Sequence, residues 1–259
     1  MKILAIMGSP KRKGTGYEAV QKIERRMNQE EKVEFDYLFL RDAQLGMCRG
    51  CFNCVSRGED TCPMREERKA IEARMEAADG IILVSPSYVQ NVSGLMKNFM
   101  DRFAYTHHRP ILLDKKALVV ANGGAGLKTV VKALGIAIGG PEVVGEVRYL
   151  HADWPLSPKV VAKRDKSLEE QALRFYKAIK SEDDTPSLGS YLNFRFFKSI
   201  SESVKQELPA DFAYYSQRQE YHHPAKMGVG KRIGAWLLIR IVTLTMRDMA
   251  PYHPREPKQ

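Results

Sequence analysis

No hydrophobic stretch of this chain approaches the roughly 20 residues that a membrane helix needs, although 44 % of its 259 residues are hydrophobic. Arginine-rich tracts, helix-turn-helix spacing and RNP motifs are also missing, so the formal charge of +10 brings no nucleic-acid signature with it. Cysteine is absent outside positions 48–62, where all four lie. That distribution excludes disulfides spread through the fold. In the reducing cytoplasm, the compartment expected here, clustered thiols read as metal ligands or redox groups. The opening "MKILAIMGSP" holds one lysine and an apolar run too short for a signal peptide, and reads instead as a buried strand.

The length allows one large core or two modest ones. Positive charge is concentrated toward the end: residues 155–259 carry 18 Lys+Arg against 12 Asp+Glu, a net of +6 out of the total +10. Basic surfaces attract nucleic acid, anionic lipid or phosphorylated cofactors. Lysines scattered over solvated faces are the plainer explanation, and no nucleic-acid partner is expected. Internal repeats and low-complexity tracts are absent.

The first two-thirds alternates strand-like and helix-like segments. "KILAIMG" (2–8), "GIILVSP" (80–86) and "KALVVANGG" (116–124) are continuous apolar runs ending in turn residues, as strands covered on both faces require. "VEFDYLFL" (33–40) alternates before becoming apolar, and "EVVGEVRYL" (142–150) reads as a fifth strand. Helices are expected near 16–29, with Val20, Ile23 and Met27 on one face, and near 93–106, 126–138 and 167–181. This order implies a parallel α/β sheet with right-handed connections. Ligands of such sheets bind beyond the carboxyl ends of the strands. Those ends carry "GSPKRKGTG", "SPSYVQNVSG" and "NGGAG", and the cysteine loop follows the second strand. Past the polar link "SEDDTPSLGS" the composition changes to helices with aromatic anchors. The expected division is 1–182, an α/β domain, and 183–259, a helical extension.

"GSPKRKGTG" joins a buried strand to a helix, whose first amides can cradle a phosphate beside the hydroxyls of Ser9 and Thr15 and the charges of Lys11, Arg12 and Lys13. It matches neither the P-loop nor the dinucleotide fingerprint, and an ordinary basic turn is the alternative. Taken with "SPSYVQNVSGLMKNFMDRF", however, it resembles the NAD(P)H-dependent FMN reductase branch of flavodoxin-like proteins over roughly residues 1–150. The resemblance implies a five-stranded parallel sheet of order 2-1-3-4-5 with helices on both faces. It also implies FMN: Ser9, Lys11, Thr15 and Gly16 at the phosphate, and Pro86, Ser87, Tyr88, Val89, Asn91, Asn122, Gly123 and Gly124 around the ring. Family loops commonly read Gly-Asn-Thr where this chain has Gly14-Thr15-Gly16. A core aromatic at a strand end is the alternative for Tyr88. Lys97, Asp101 and Arg102 read as a helix-surface charge set.

Cys48, Cys51, Cys54 and Cys62 are spaced C-x2-C-x2-C-x7-C, with Gly50 and Gly58 where the backbone must turn. The compact start and the Cys62-Pro63 ending resemble bacterial ferredoxin motifs that hold a [4Fe–4S] cluster. Zinc sites more often split into two separated pairs; zinc and uncommitted thiols remain alternatives. Within the reductase branch this pattern resembles the iron–sulfur flavoproteins, which implies electron transfer between cluster and FMN in a homodimer or homotetramer. NAD(P)H or a ferredoxin-like donor would then reduce a quinone, a nitro or azo compound, or a protein. The other readings are a cluster-free NAD(P)H:FMN or quinone reductase and a thiol- or zinc-based redox sensor. No nucleophile–base set is apparent; His107, His108, His222 and His223 read as solvated or capping residues. "VGKRIGAWLLIRIVTLTMRD" (229–248) is too interrupted by charge to span a bilayer. A lid or an oligomer interface is expected of it ahead of a membrane surface.

Overall fold

The structure is a computed structural model and describes residues 1–181, 185–224 and 228–245. The chain forms two compact units, Met1–Cys51 with Pro63–Glu182, and Phe52–Cys62 with Asp183–Gln259. The eleven-residue segment grouped with the second unit lies inside the cysteine loop, well before the composition change at 182.

The first unit is a five-stranded parallel sheet of order β2-β1-β3-β4-β5, the flavodoxin-like order. The strands are β1 (Lys2–Met7), β2 (Glu34–Phe39), β3 (Gly80–Pro86), β4 (Lys116–Gly123) and β5 (Glu142–Leu150). β3 is buried along its whole length, β1 and β4 almost so, as their unbroken apolar runs require. Edge strand β2 alternates: Phe35, Tyr37 and Phe39 pack on one face, while Asp36 on the other receives Arg74 at 2.6 and 3.1 Å.

Side-chain alternation divides the core into two layers. Ile3, Ala5, Met7, Ile82, Val84, Leu118, Val120 and Val147 pack with α1 (Thr15–Met27) and α6 (Pro158–Lys180). Leu4, Ile6, Ile81, Leu83 and Val119 are buried on the opposite face, where α3 (Arg65–Glu76), α4 (Gly94–Arg102) and α5 (Leu127–Leu134) complete the unit. Two helices differ from the sequence expectation. α6 begins at Pro158 rather than near 167, because Ser157 caps it by accepting from Val160 N and proline suits the first helical position. α4 stops at Arg102, and a 3-10 turn, Ala104–His107, continues the chain.

The second unit is helical: α2 (Asn53–Ser56), a 3-10 turn at Glu59–Thr61, α7 (Leu188–Ser203), α8 (Pro209–Ser216) and α9 (Val229–Thr245). Tyr191, Phe194, Tyr215, Tyr221 and Ala235 form its core. His222 belongs to this aromatic cluster and is not the solvated histidine expected from sequence. Its ring packs edge-on against Phe194 at 4.8 Å and its Nδ1 meets the Tyr214 hydroxyl at 2.9 Å. Burial, with the charges of Arg218 and His223 adding to it, lowers its pKa to about 4.

Candidate flavin site and cysteine loop

Three loops leave the carboxyl ends of adjacent strands β1, β3 and β4 and are tied together by short bonds. Gly8 N donates to Val84 O at 2.8 Å. A Cβ on Gly8 would meet Met96 Cβ at 2.9 Å and Val84 O at 3.0 Å, so the approach of β1 to α4 requires glycine. Ser93 Oγ donates to Gly8 O at 2.5 Å and caps α4 by accepting from Met96 N at 3.2 Å. Ser93 N in turn donates to Ser85 Oγ at 2.9 Å. The loops after β1 and β3 are thereby locked at their bases.

In the first loop, Ser9 Oγ accepts from Lys11 N at 3.0 Å, and the Arg41 guanidinium donates to Pro10 O at 2.5 Å. Arg12 pairs with Asp42 at 2.9 Å, and Lys11 is exposed. Gly14 is the N-cap of α1 and supplies no side-chain acceptor, so the helix presents its first amides, at Thr15 and Gly16, without a side-chain cap. Such an end is suited to an anion. Gly16 itself faces the end of β4: a Cβ there would lie 2.8 Å from Asn122 Oδ1 and 3.2 Å from Val84 Cγ1. A side chain at position 16 would displace the Asn122 amide.

Beyond Pro86, the Ser87 amide donates to Asn122 O at 2.8 Å. Tyr88 and Asn91 exchange both backbone bonds, at 2.9 and 3.0 Å, around Val89 (φ 50°) and Gln90 (φ 60°). Two positive φ values make a type I′ turn, a geometry that favours Asn-Gly and strains a β-branched valine. Val89 is 100 % exposed, and Tyr88 is exposed beside it. Gly126 (φ 70°) lies under this turn, where a Cβ would sit 2.6 Å from Gln90 Cα. Gly123 (φ 143°) lies beside Ser87 less tightly, a Cβ there falling 3.3 Å from Ser87 Cβ. All twelve residues expected at a flavin therefore fall on these three loops, the carboxyl ends of β3 and β4 or the first turn of α1, with the Asn122 side chain beside Gly16.

Asn122 tests whether a flavin fits. Its side chain is buried, and its Oδ1 has no hydrogen-bond partner. An unsatisfied buried acceptor costs about 1–3 kcal/mol, which a ligand hydroxyl or ring N–H would relieve. A buried acceptor beside an uncapped helix end suits a ligand that couples a polyol or heterocycle to a phosphate.

The cysteine loop is anchored by residues that sequence reasoning placed elsewhere. Arg102 is not on a charged surface: its side chain is 2 % exposed. It donates to Gly46 O at 2.8 Å, Glu67 Oε2 at 2.8 Å and Met64 O at 2.5 Å. Glu67 also accepts from Gly46 N at 2.8 Å. The Arg102 guanidinium, and then the Gly46 amide, hold the Glu67 carboxyl below its usual range. One turn earlier, Asn98 Oδ1 accepts from Cys48 N at 2.9 Å while its Nδ2 donates to Leu45 O and Gly46 O at 3.0 and 3.2 Å. Asn98 and Arg102 thus hold both flanks of the loop from one helix face, and their i, i+4 spacing was the available signal. Lys97 and Asp101, by contrast, do pair on an exposed face.

None of the four cysteines forms a disulfide; Cys51 is exposed and the others are half-buried. Gly50 (φ 64°) and Gly58 (φ 110°) turn the backbone as expected, and Phe52 (φ 56°) adds a third positive φ. Cys54 lies in α2, and Cys62 follows the 3-10 turn. Among the described residues, no three His, Cys, Asp or Glu side chains are gathered closely enough to hold a metal ion. The thiols have the donor chemistry of an iron–sulfur site.

The sheet order and the loops at its carboxyl edge define a flavodoxin-like protein of the flavin-reductase class. The chain matches the NADPH-dependent FMN reductase family over residues 1–144, more than half its length, and belongs to that family of oxidoreductases. An iron-sulfur flavoprotein of Archaeoglobus fulgidus is 32 % identical over 165 residues, covering 57 % of this chain and 72 % of that protein. Another, from Methanocaldococcus jannaschii, is 37 % identical over 102 residues, covering 39 % of this chain and 51 % of that one. Among solved structures, a flavone reductase superposes with a TM-score of 0.53 over 70 % of this chain and 64 % of its own, at 19 % identity, a likeness of fold. Among the described residues no helix is long and apolar enough to cross a membrane.

Proposed function

We propose that this chain is an FMN-dependent oxidoreductase that takes electrons from NAD(P)H or a ferredoxin-like donor and delivers them to a quinone, a nitro or azo compound, or a protein. The observation that carries the reading is the buried, unpartnered Asn122 Oδ1 where three loops meet beside the uncapped start of α1. The Thr15 and Gly16 amides, Ser9 and Lys11 would hold the phosphate. The backbone of residues 86–91 and 122–124 would line the ring, and exposed Tyr88 would shield one face from water. The chemistry FMN supplies when bound is conversion between two-electron and one-electron transfer.

The finer reading adds a [4Fe–4S] cluster held by Cys48, Cys51, Cys54 and Cys62. Its support is the spacing of the four thiols and the iron–sulfur flavoprotein names of relatives. A metal site is seldom preformed without its metal, and ligands gather as it binds. A homodimer or homotetramer and a cytoplasmic location complete the proposal. The test is an anaerobic, iron-replete preparation. Brown protein with about four iron and four sulfide per chain is expected, and Cys54→Ala should abolish the iron while sparing the FMN. Yellow, iron-free protein would remove the cluster and leave the reductase; colourless protein would remove the flavin as well. Oxidation of NADH and NADPH by the purified holoprotein tests the donor.

A further inference from the structure

Helix α9 keeps little of its apolar surface for its own unit. Among the described side chains of α9, only Ala235 is buried in the aromatic core, beside Tyr191, Phe194, Tyr215 and Tyr221. Ile233 is 57 % exposed, Trp236 51 %, Leu237 51 % and Leu238 45 %. Ile233, Trp236, Leu237 and Arg240 recur at i, i+3, i+4 and i+7, which places them on one stripe facing away from Ala235. A Cβ added at Gly230 or Gly234 would meet nothing within 4 Å, so these positions are open as well. The family match ends at residue 144 and does not reach this helix.

Charge decides what covers it. Between Val229 and Thr245 the sequence has Lys231, Arg232 and Arg240 and no aspartate or glutamate. Lys231 turns to the Ala235 side and donates to Pro186 O at 3.1 Å, which leaves Arg232 and Arg240 beside the stripe. Arg240 lies over the Trp236 ring at 4.9 Å, its stem along the apolar stripe and its head at the edge. Arg232 pairs with Glu220 at 2.9 Å across a half-exposed surface, where such pairs contribute little. A second copy of α9 laid on this stripe would bring the same cations against it with no carboxylate on either helix to answer them. An anionic bilayer supplies both missing complements, phosphate and carboxylate headgroups for the cations and an acyl boundary for tryptophan, leucine and isoleucine.

We infer that α9 is a docking helix for an anionic lipid surface, lying in the plane of the headgroups with Ile233, Trp236 and Leu237 inserted. The inference is independent of the flavin and cluster proposals. It is an alternative to the lid and the oligomer interface expected from sequence, both of which would cover the stripe with protein.

The test uses the full-length, FMN-loaded chain carrying Trp154→Phe, which leaves Trp236 as the only tryptophan. Vesicles of phosphatidylcholine alone, or with about one-third phosphatidylserine, are offered at about 0.1 M salt. Co-sedimentation with the phosphatidylserine vesicles and a blue shift of Trp236 emission are expected. Arg240→Gln should weaken binding about fivefold, whereas Lys231→Gln, on the opposite helix face, should change it little. Trp236→Ser with Leu237→Ser should abolish it while far-UV circular dichroism stays unchanged. Failure to sediment with either vesicle, or binding indifferent to phosphatidylserine, would overturn the inference. So would a blue-shifted Trp236 in a lipid-free oligomer that the double serine variant dissociates, since a second copy would then own the stripe.

Discussion

Replacing Arg102 by leucine should loosen the cysteine loop at both ends at once. The guanidinium is buried and makes three charge-assisted bonds, two to carbonyls that flank the loop and one to the Glu67 carboxylate. Leucine fills much of the volume but removes the guanidinium donor from Met64 O, leaves Gly46 O with Asn98 Nδ2 and leaves Glu67 Oε2 with the Gly46 amide. Removing one partner of a buried pair typically costs about 3–5 kcal/mol. Glu67 is about one-third exposed and water reaches it, so about 3 kcal/mol is expected. Arg102→Lys keeps the charge but not the fork, and should cost about half as much. Chemical denaturation of the first unit reads the total, while hydrogen exchange at Gly46 and Cys48 reads the local effect. Wild-type stability should also fall as pH drops through the depressed Glu67 value, because the carboxylate then gains a proton and loses the pair. The leucine variant should lack that component. A loss under about 1 kcal/mol, with Gly46 and Cys48 as protected as in the wild type, would refute the clamp.

Asn122→Leu removes an unsatisfied buried acceptor, so the flavin-free protein should be as stable or up to about 1 kcal/mol more stable. FMN affinity should fall about tenfold, the equivalent of one hydrogen bond, in a fluorescence-quenching titration. Val89→Asn relieves a β-branched residue at φ 50° in a type I′ turn and should stabilise the flavin-free form by about 1 kcal/mol in thermal denaturation. His222 is buried as the neutral ring, with its pKa lowered to about 4 from 6.5. The unfolded chain therefore binds the proton first, and stability is complete above about pH 6.5 and lost as pH falls toward 4. The loss totals about 3 kcal/mol from that interval. His222→Phe should flatten this dependence in denaturation curves recorded across the range.

The sheet was legible because buried parallel strands leave a signal that survives in one dimension. β1, β3 and β4 are apolar on both faces, so each appears as an unbroken run ending in turn residues. The loops at their carboxyl ends were legible for a related reason. Gly8, Gly16, Gly123 and Gly126 stand where the backbone turns or approaches another strand, and such residues are visible as a pattern. Helix α3 was not visible: REERKAIEARME carries only Ile71, Met75 and the stem of Arg68 to the core, too few apolar positions to read as a stripe.

The sequence by itself determined the succession of strands and helices along the chain, the side of the sheet that carries chemistry, and the cysteine spacing. These are local, and each follows from hydrophobic period or the geometry of a turn. Only the tertiary structure decided the partners of charged and polar side chains. Arg102 reads like Lys97 in the sequence, yet one is buried against two carbonyls and a carboxylate while the other pairs at the surface. His222 reads like a solvated histidine until Phe194, Tyr214 and Tyr221 close around it. The same holds for α9, whose apolar composition implies burial but whose stripe is left open, because a helix's composition does not say which of its faces another element covers.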